Sequence, residues 1–298
     1  MNHELFIAVI AGLGGMFGWG FSEFATKKAV DRIGTISSLV WAHVLGSIIL
    51  FLVVLANVYI FKNSFALPTD LYDWLGLIFF GSLQSLVYLF AYKGFEKGKI
   101  AILSPIFASF TGWVALLSVL VFGEVLKINL IPALILIFSG VILLNLDPVG
   151  WRTKRIRIIG TPGVKEIAIA TALAVIWTLG WDKFSEAKDW MLYSFLMFIF
   201  MTISAYVISR FNKVDLTKVN SGTWRFLWLI GIGEAVAYLA ISLGYASTSF
   251  TSVVAILSGA SSLPTIILAR VFLKEKVAAI QTIGSLIVIL GIIFLSIS

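Results

Sequence analysis

The chain has 298 residues, 60% of them hydrophobic and only 12% charged, with a mean hydropathy of +1.03. A soluble domain carries roughly 25% charged residues, so this composition excludes a water-facing surface and indicates an all-α, polytopic membrane protein. The net charge of +7 fits basic cytoplasmic loops and does not call for nucleic acid, while zero cysteines exclude disulfides, iron–sulfur clusters and thiol chemistry.

The N-terminal "MNHELFIAVIAGLGGMFGWG" has no Lys or Arg before its apolar run. It therefore reads as a retained first helix and not as a cleaved signal. Ten apolar stretches follow one another: Leu5–Ala25, Ile36–Phe61, Leu71–Tyr92, Ile100–Phe122, Ile128–Leu146, Val164–Phe184, Trp190–Phe211, Thr223–Tyr245, Thr251–Phe272 and Val277–Ile297. Short connections make neighbours antiparallel. The longest connection, the basic Pro/Gly-containing segment 147–163, divides the chain into a first five-helix unit (1–146) and a second (164–298).

The two units resemble each other. Glu124 aligns with Glu275 and Gly140 with Gly291 at one offset, "AILS" occurs at Ala101 and again at Ala255, and Trp19 and Trp177 hold similar places in the first helix of each unit. Such self-similarity points to duplication. Because five is odd, the second copy must enter upside down, giving ten transmembrane helices as two inverted repeats.

Charge placement gives a separate test. Eighteen of the 22 Lys and Arg fall on one side: Lys27–Arg32, Lys93–Lys99, Arg152–Lys165, Arg210–Arg225 and Arg270–Lys276. Lys62, Lys127, Lys183 and Lys188 make up the other side. The positive-inside rule puts the basic-rich side in the cytoplasm and both termini outside, in a plasma (inner) membrane.

"FGWGFSEFATKKA" in the first helix, and the "GEVL…SG" and "KEKV…LG" segments that close each half, resemble the EamA domain of the drug/metabolite transporter superfamily. The resemblance covers both halves. It implies a central cavity, alternating access and movement of small metabolites, with both termini usually cytoplasmic. Two positions depart from the family pattern: Val125 stands where the first domain usually has arginine, and His43 where the second helix often begins with one. The small multidrug relatives use a carboxylate in the middle of helix one. Here helix one has only Glu23, near its end, so that mechanism does not carry over.

The polar residues suited to a cavity lie in spans three and eight. Glu234 sits near the middle of "IGIGEAVAYLAISLGY", where a charge costs about 2.5–3.5 kcal/mol on insertion scales and normally faces protein or water. Tyr238 lies four residues on, and Gln84 and Tyr88 repeat the arrangement 150 residues earlier. Each pair shares one helix face. Two readings stand open: polar glue between helices, or two walls of a midplane cavity in which Glu234 binds substrate or a proton. Trp19 and Trp177 could stack on a flat ligand, or simply pack.

His43 reads as a satisfied core histidine or a proton relay, and Gly14 with Gly18 as a close helix crossing. Trp151, Trp181 and Trp190 read as interfacial belt residues, and the hydroxyls from Ser247 to Ser262 as ligand contacts or helix-internal bonds. No Ser/His pair, His/Cys metal spacing or phosphate-binding loop is present, so no enzyme, metal or other cofactor is expected. The resulting expectation is a secondary transporter for a small polar molecule, with protons as the candidate coupling ion and lipid as its surroundings. A passive channel or a structural membrane protein is the alternative.

Overall fold

The computed structural model describes residues 3–64, 67–97, 100–125, 128–144, 162–272 and 279–297. The first half comprises α1 (His3–Ile33), α2 (Thr35–Tyr59), α3 (Leu71–Lys97), α4 (Ile100–Leu120) and α5 (Leu130–Leu144). The second comprises α6 (Val164–Ser185), α7 (Trp190–Phe211), α8 (Ser221–Ser247), α9 (Thr251–Gly259), α10 (Ser262–Phe272) and α11 (Ala279–Ile297). The described residues contain no strand. Glu275, Trp151 and all but the last two residues of the expected 147–163 linker lie outside the described residues.

Among the described residues, six helices, α1, α2, α3, α6, α7 and α8, are long and apolar enough to cross a membrane. Shorter apolar stretches lie within α4, α5 and α11. Large apolar side chains such as Phe51, Leu52, Phe79, Ile203 and Leu290 are exposed around the outside, as expected where the surroundings are lipid.

Two boundaries differ from the sequence expectation for physical reasons. The first span does not stop at Ala25; helix-compatible residues carry α1 on to Ile33, where Gly34 (φ +76°) ends it. The ninth span is not one helix but two. Pro264 has no N–H to give the carbonyl of Ala260, and its ring would crowd that group in a continuous helix. The chain instead makes tighter bonds across the break, from Ala260 N to Leu257 O and from Leu263 N to Ala260 O.

Exchanging the two halves leaves the packing pattern unchanged. α1 packs on α8 as α6 packs on α3; α2 packs on α8 as α7 packs on α3; and α1 packs on α9 as α6 packs on α4. α2 meets its own counterpart α7, and α5 meets α11. Counterparts run in opposite directions where they meet. On α2 and α7, Ser47 bonds Thr202 while Phe51 contacts Phe195 farther back along α7. At α5 and α11, Gly140 lies against Val288, and Ile137 against Gly291.

Glycine sets the central crossing. A Cβ on Gly18 would lie 2.5 Å from the Gly233 carbonyl oxygen, and one on Gly233 would lie 2.5 Å from that of Gly18. The expected close crossing at the Gly14/Gly18 face is therefore the α1–α8 contact, where the bare backbones touch.

The two ends of the bundle differ in charge. At one, Arg32 reaches the Gly222 carbonyl, Lys97 bonds Glu166 at 2.6 Å and Thr35 bonds Glu96. These contacts gather the described basic ends of α1 and α3 with the starts of α2, α6 and α8. At the other end, Lys188 bonds Asp73 at 2.6 Å and Ser249 bonds Glu4.

Candidate functional site

Halfway along α3 and α8, four polar side chains meet in one hydrogen-bonded chain. The Gln84 Nε2 donates to the Tyr238 hydroxyl (2.5 Å), which donates to the Tyr88 hydroxyl (3.3 Å), which donates to Glu234 Oε2 (2.5 Å). From α1, Ser22 Oγ donates to Glu234 Oε1 at 2.7 Å. Residue 84 meets 238 and residue 88 meets 234, so α3 and α8 face each other antiparallel. The i, i+4 spacing within each helix makes this possible, since it holds both polar groups on one face.

Glu234 is 1% exposed and ends the chain of donors. A carboxylate accepts only, so every bond points toward it; a proton on Glu234 would add a donor there and so allow a bond to reverse. Gln84 can serve either direction by turning its amide, and its Oε1 has no partner among the described residues.

A cavity opens above this chain, with about 1090 Å³ of free space including its mouth. Its floor holds Trp19, Gln84, Tyr88, Trp177 and Glu234, and its walls include Ser22, Glu23, Thr26, Tyr92, Phe95 and Phe107. Lining residues on α1 run from Trp19 to Val30, and on α3 from Gln84 to Phe95. Both runs lead toward the basic-rich end, so the cavity opens there.

Below the floor the molecule is closed. Trp177 and Trp181 stack 5.7 Å apart at 11°, and Phe80 and Phe184 pack around Trp181. The Trp181 indole donates to Ser242 Oγ at 3.0 Å, and Thr251 Oγ1 to Asp182 at 2.9 Å. Glu124 accepts from both the backbone N–H (3.0 Å) and the hydroxyl (2.5 Å) of Ser252. Glu124 lies in the loop after α4. Burial pushes its carboxyl up to about 7, with the Ser252 bonds pulling the other way and nearby Asp182 adding to the rise.

Five of the six expected site residues, Glu234, Gln84, Tyr88, Trp19 and Trp177, thus line one cavity. Tyr238 does not reach its surface. It is fully buried, flanked edge-on by Trp19 at 6.1 Å and Trp177 at 5.7 Å, and acts through its bonds to Gln84 and Tyr88. Trp181 is no belt residue, because it lies at 0% exposure inside the closed end. His43 is a core histidine only half satisfied: its Nδ1–H donates to the Leu39 carbonyl at 2.6 Å and the ring packs on Tyr88 and Phe198, but its Nε2 has no partner among the described residues.

Glu23 is the residue the sequence reading undervalued. With α1 extended to Ile33, it is no longer near a helix end. It lines the cavity and accepts from Ser261 Oγ (2.9 Å) and Thr265 Oγ1 (3.3 Å) beside the α9–α10 break. A signal was present: Trp19, Ser22, Glu23 and Thr26 fall at i, i+3, i+4 and i+7, a polar stripe on one face of an apolar span.

A sequence profile described as "EamA-like transporter family" matches residues 6–146 and again 162–297. No curated protein matches the chain. One solved structure, described only as "Crystal structure of protein", is similar with a TM-score of 0.72 at 14% sequence identity. The match covers 97% of this chain and 98% of that one, and at this identity it speaks to the fold alone.

Proposed function

Since the chain belongs to the EamA-like transporter family and is a multi-pass integral membrane protein, we propose that it carries a small polar molecule by alternating access around Glu234. The observation that supports this reading most directly is a buried carboxylate at the floor of a cavity open at one end and sealed at the other. A conducting pore has no need of such a seal, which favours a carrier over a channel. The chemistry is transport and not catalysis, in keeping with the family.

In this reading the chain crosses the membrane ten times, α9 and α10 together forming one span, as two inverted units at 1–146 and 164–298 joined by the basic linker. The membrane is the plasma (inner) membrane, and the basic-rich end lies in the cytoplasm. Trp19, Trp177, Tyr88, Gln84 and Glu234 contact the substrate, and Tyr238 holds the last three in register.

Glu234 takes a proton or a substrate group, and the choice reads out through the hydrogen-bond chain. When it is charged, Ser22 and Tyr88 both donate to it. When it is protonated, Tyr88 can accept from Glu234 and pass its own hydrogen to Tyr238, with Gln84 turning its amide to receive the next one. Proton occupancy thus changes the polarity of the floor without moving a helix. The test is solute flux in proteoliposomes. Saturable counterflow supports a carrier, whereas flux that rises without saturation overturns it.

A further inference from the structure

The cavity surface carries a chemical bias that sequence alone could not show. Two carboxylates, Glu23 and Glu234, line the same space, from α1 and α8. A third acceptor, Gln84 Oε1, belongs to a lining side chain only 5% exposed and has no partner among the described residues; nor has one lining donor, the Trp19 Nε1–H. Among the described lining residues the one cation is Lys27, at the mouth, and it is bonded to Asp31 at 2.7 Å. The remaining wall mixes hydroxyl and aliphatic side chains such as Thr26, Thr178 and Val87 with four rings, Tyr92, Phe95, Phe107 and Phe110.

The two carboxylates and the Gln84 oxygen outnumber the one free donor, Trp19 Nε1–H, and call for a ligand that brings N–H groups of its own. Carboxylates without a free counter-cation call for positive charge, and ring faces attract an ammonium besides offering a flat apolar contact. A carboxylate on the ligand would face two acids and find no unpaired Lys or Arg among the described lining residues. Anions and zwitterions are therefore disfavoured by repulsion as well as by desolvation.

Resting on the carrier reading above, we propose that the substrate is an organic cation: an N–H-bearing ammonium on a flat, apolar body. The ammonium sits between Glu234 and Glu23, the body lies along the four rings of the wall, and Gln84 Oε1 takes a remaining N–H. Glu23 is then a specificity-determining residue, held in place by Ser261 and Thr265 at the helix break.

The experiment compares three probes with one body: phenethylamine, phenylalanine and 2-phenylethanol, bound to the purified full chain and followed by calorimetry. The amine should bind more tightly than both others by at least about tenfold. Glu23→Gln should weaken the amine by about tenfold while leaving the alcohol unchanged, a charge-selective loss that mere loosening of the fold would not give. Equal or better binding of phenylalanine or of the alcohol overturns the proposal, as does no binding of the amine. These comparisons on the parent protein need no variant to fold. The two readings separate in proteoliposomes. Saturable counterflow of phenylalanine but not of the amine keeps the carrier and removes the cation; selective amine binding without any counterflow keeps the cation site and removes the carrier.

Discussion

The two ends of the cavity are built from equivalent helices, yet one is open and the other shut. Four residues past Trp19 on α1 stands Glu23; four past Trp177 on α6 stands Trp181. The first faces the open cavity and is held by two hydroxyls. The second is fully buried, stacked on Trp177 and bonded to Ser242. Equivalent backbone positions thus carry an acid facing the cavity at one end and an apolar plug at the other. On the proposed carrier reading, such a duplicated scaffold lets either end open, and the side chains decide which is closed in a given state.

The comparison can be broken in several places. The largest effect is expected at the point both ends share. Glu234→Gln retains shape and can keep a bond to Ser22 or Tyr88, so the fold should persist. Uphill transport driven by a pH gradient should be abolished across about pH 5.5–8.5, with exchange partly spared. A Gln variant that drives uphill transport like the parent would make Glu234 structural glue.

Next comes the plug. Trp181→Ala removes a fully buried indole, a loss of about 3–5 kcal/mol at a packed site. Much of that falls on the closed form, so the sealed end should open more often and the protein should leak solute down its gradient. The chain has no cysteine, so a single introduced thiol at Phe250→Cys reports access to this end. Labelling no faster than in the parent background would show that Trp181 does not hold the seal.

The crossing on which both ends pivot should tolerate less than its exposure suggests. Gly18→Val sets a branched side chain against the Gly233 carbonyl, and overpacking of this kind costs about 1–3 kcal/mol. A lower thermal midpoint in detergent is the expected readout. Gly34→Ala, with open space around its Cβ but φ of +76°, should lower the midpoint through backbone strain instead of a clash.

The smallest effect sharpens the comparison through pH. In the closed form the Glu124 carboxyl titrates near 7, whereas once this end opens to water it should return to the ordinary carboxylate range. The closed form therefore holds the proton more tightly. Opening is hardest at pH below the ordinary carboxylate value, becomes easier as pH rises from there toward about 7, and gains nothing further above it. Glu124→Gln should flatten the pH dependence of Phe250→Cys labelling over that window. Asp182 and Lys183 stand beside Glu124 in parent and variant alike, so the comparison isolates Glu124.

Much of the plan was legible along the chain. Composition required lipid, the run of apolar stretches marked the helices, and the matched pairs Gln84/Tyr88 and Glu234/Tyr238 pointed to α3 and α8. These features are local or repeat at a fixed offset, so sequence carries them directly.

What the sequence determined by itself is the membrane class, the duplication, the sorting of basic residues to one end, and a charged group in the middle of a span. Only the tertiary structure decided that Trp181 lies inside and Phe79 outside, that Tyr238 supports the cavity floor without reaching it, and that Glu23 shares the cavity with Glu234. The physical reason is the solvent. In water, the apolar face of a helix reveals its buried side. In lipid, the outside is as apolar as the core, so a tryptophan or phenylalanine carries no mark of which way it points. The same holds for the break between α9 and α10: Pro264 permits it, but the hydroxyls of Ser261 and Thr265 meeting Glu23 across the bundle give it a use.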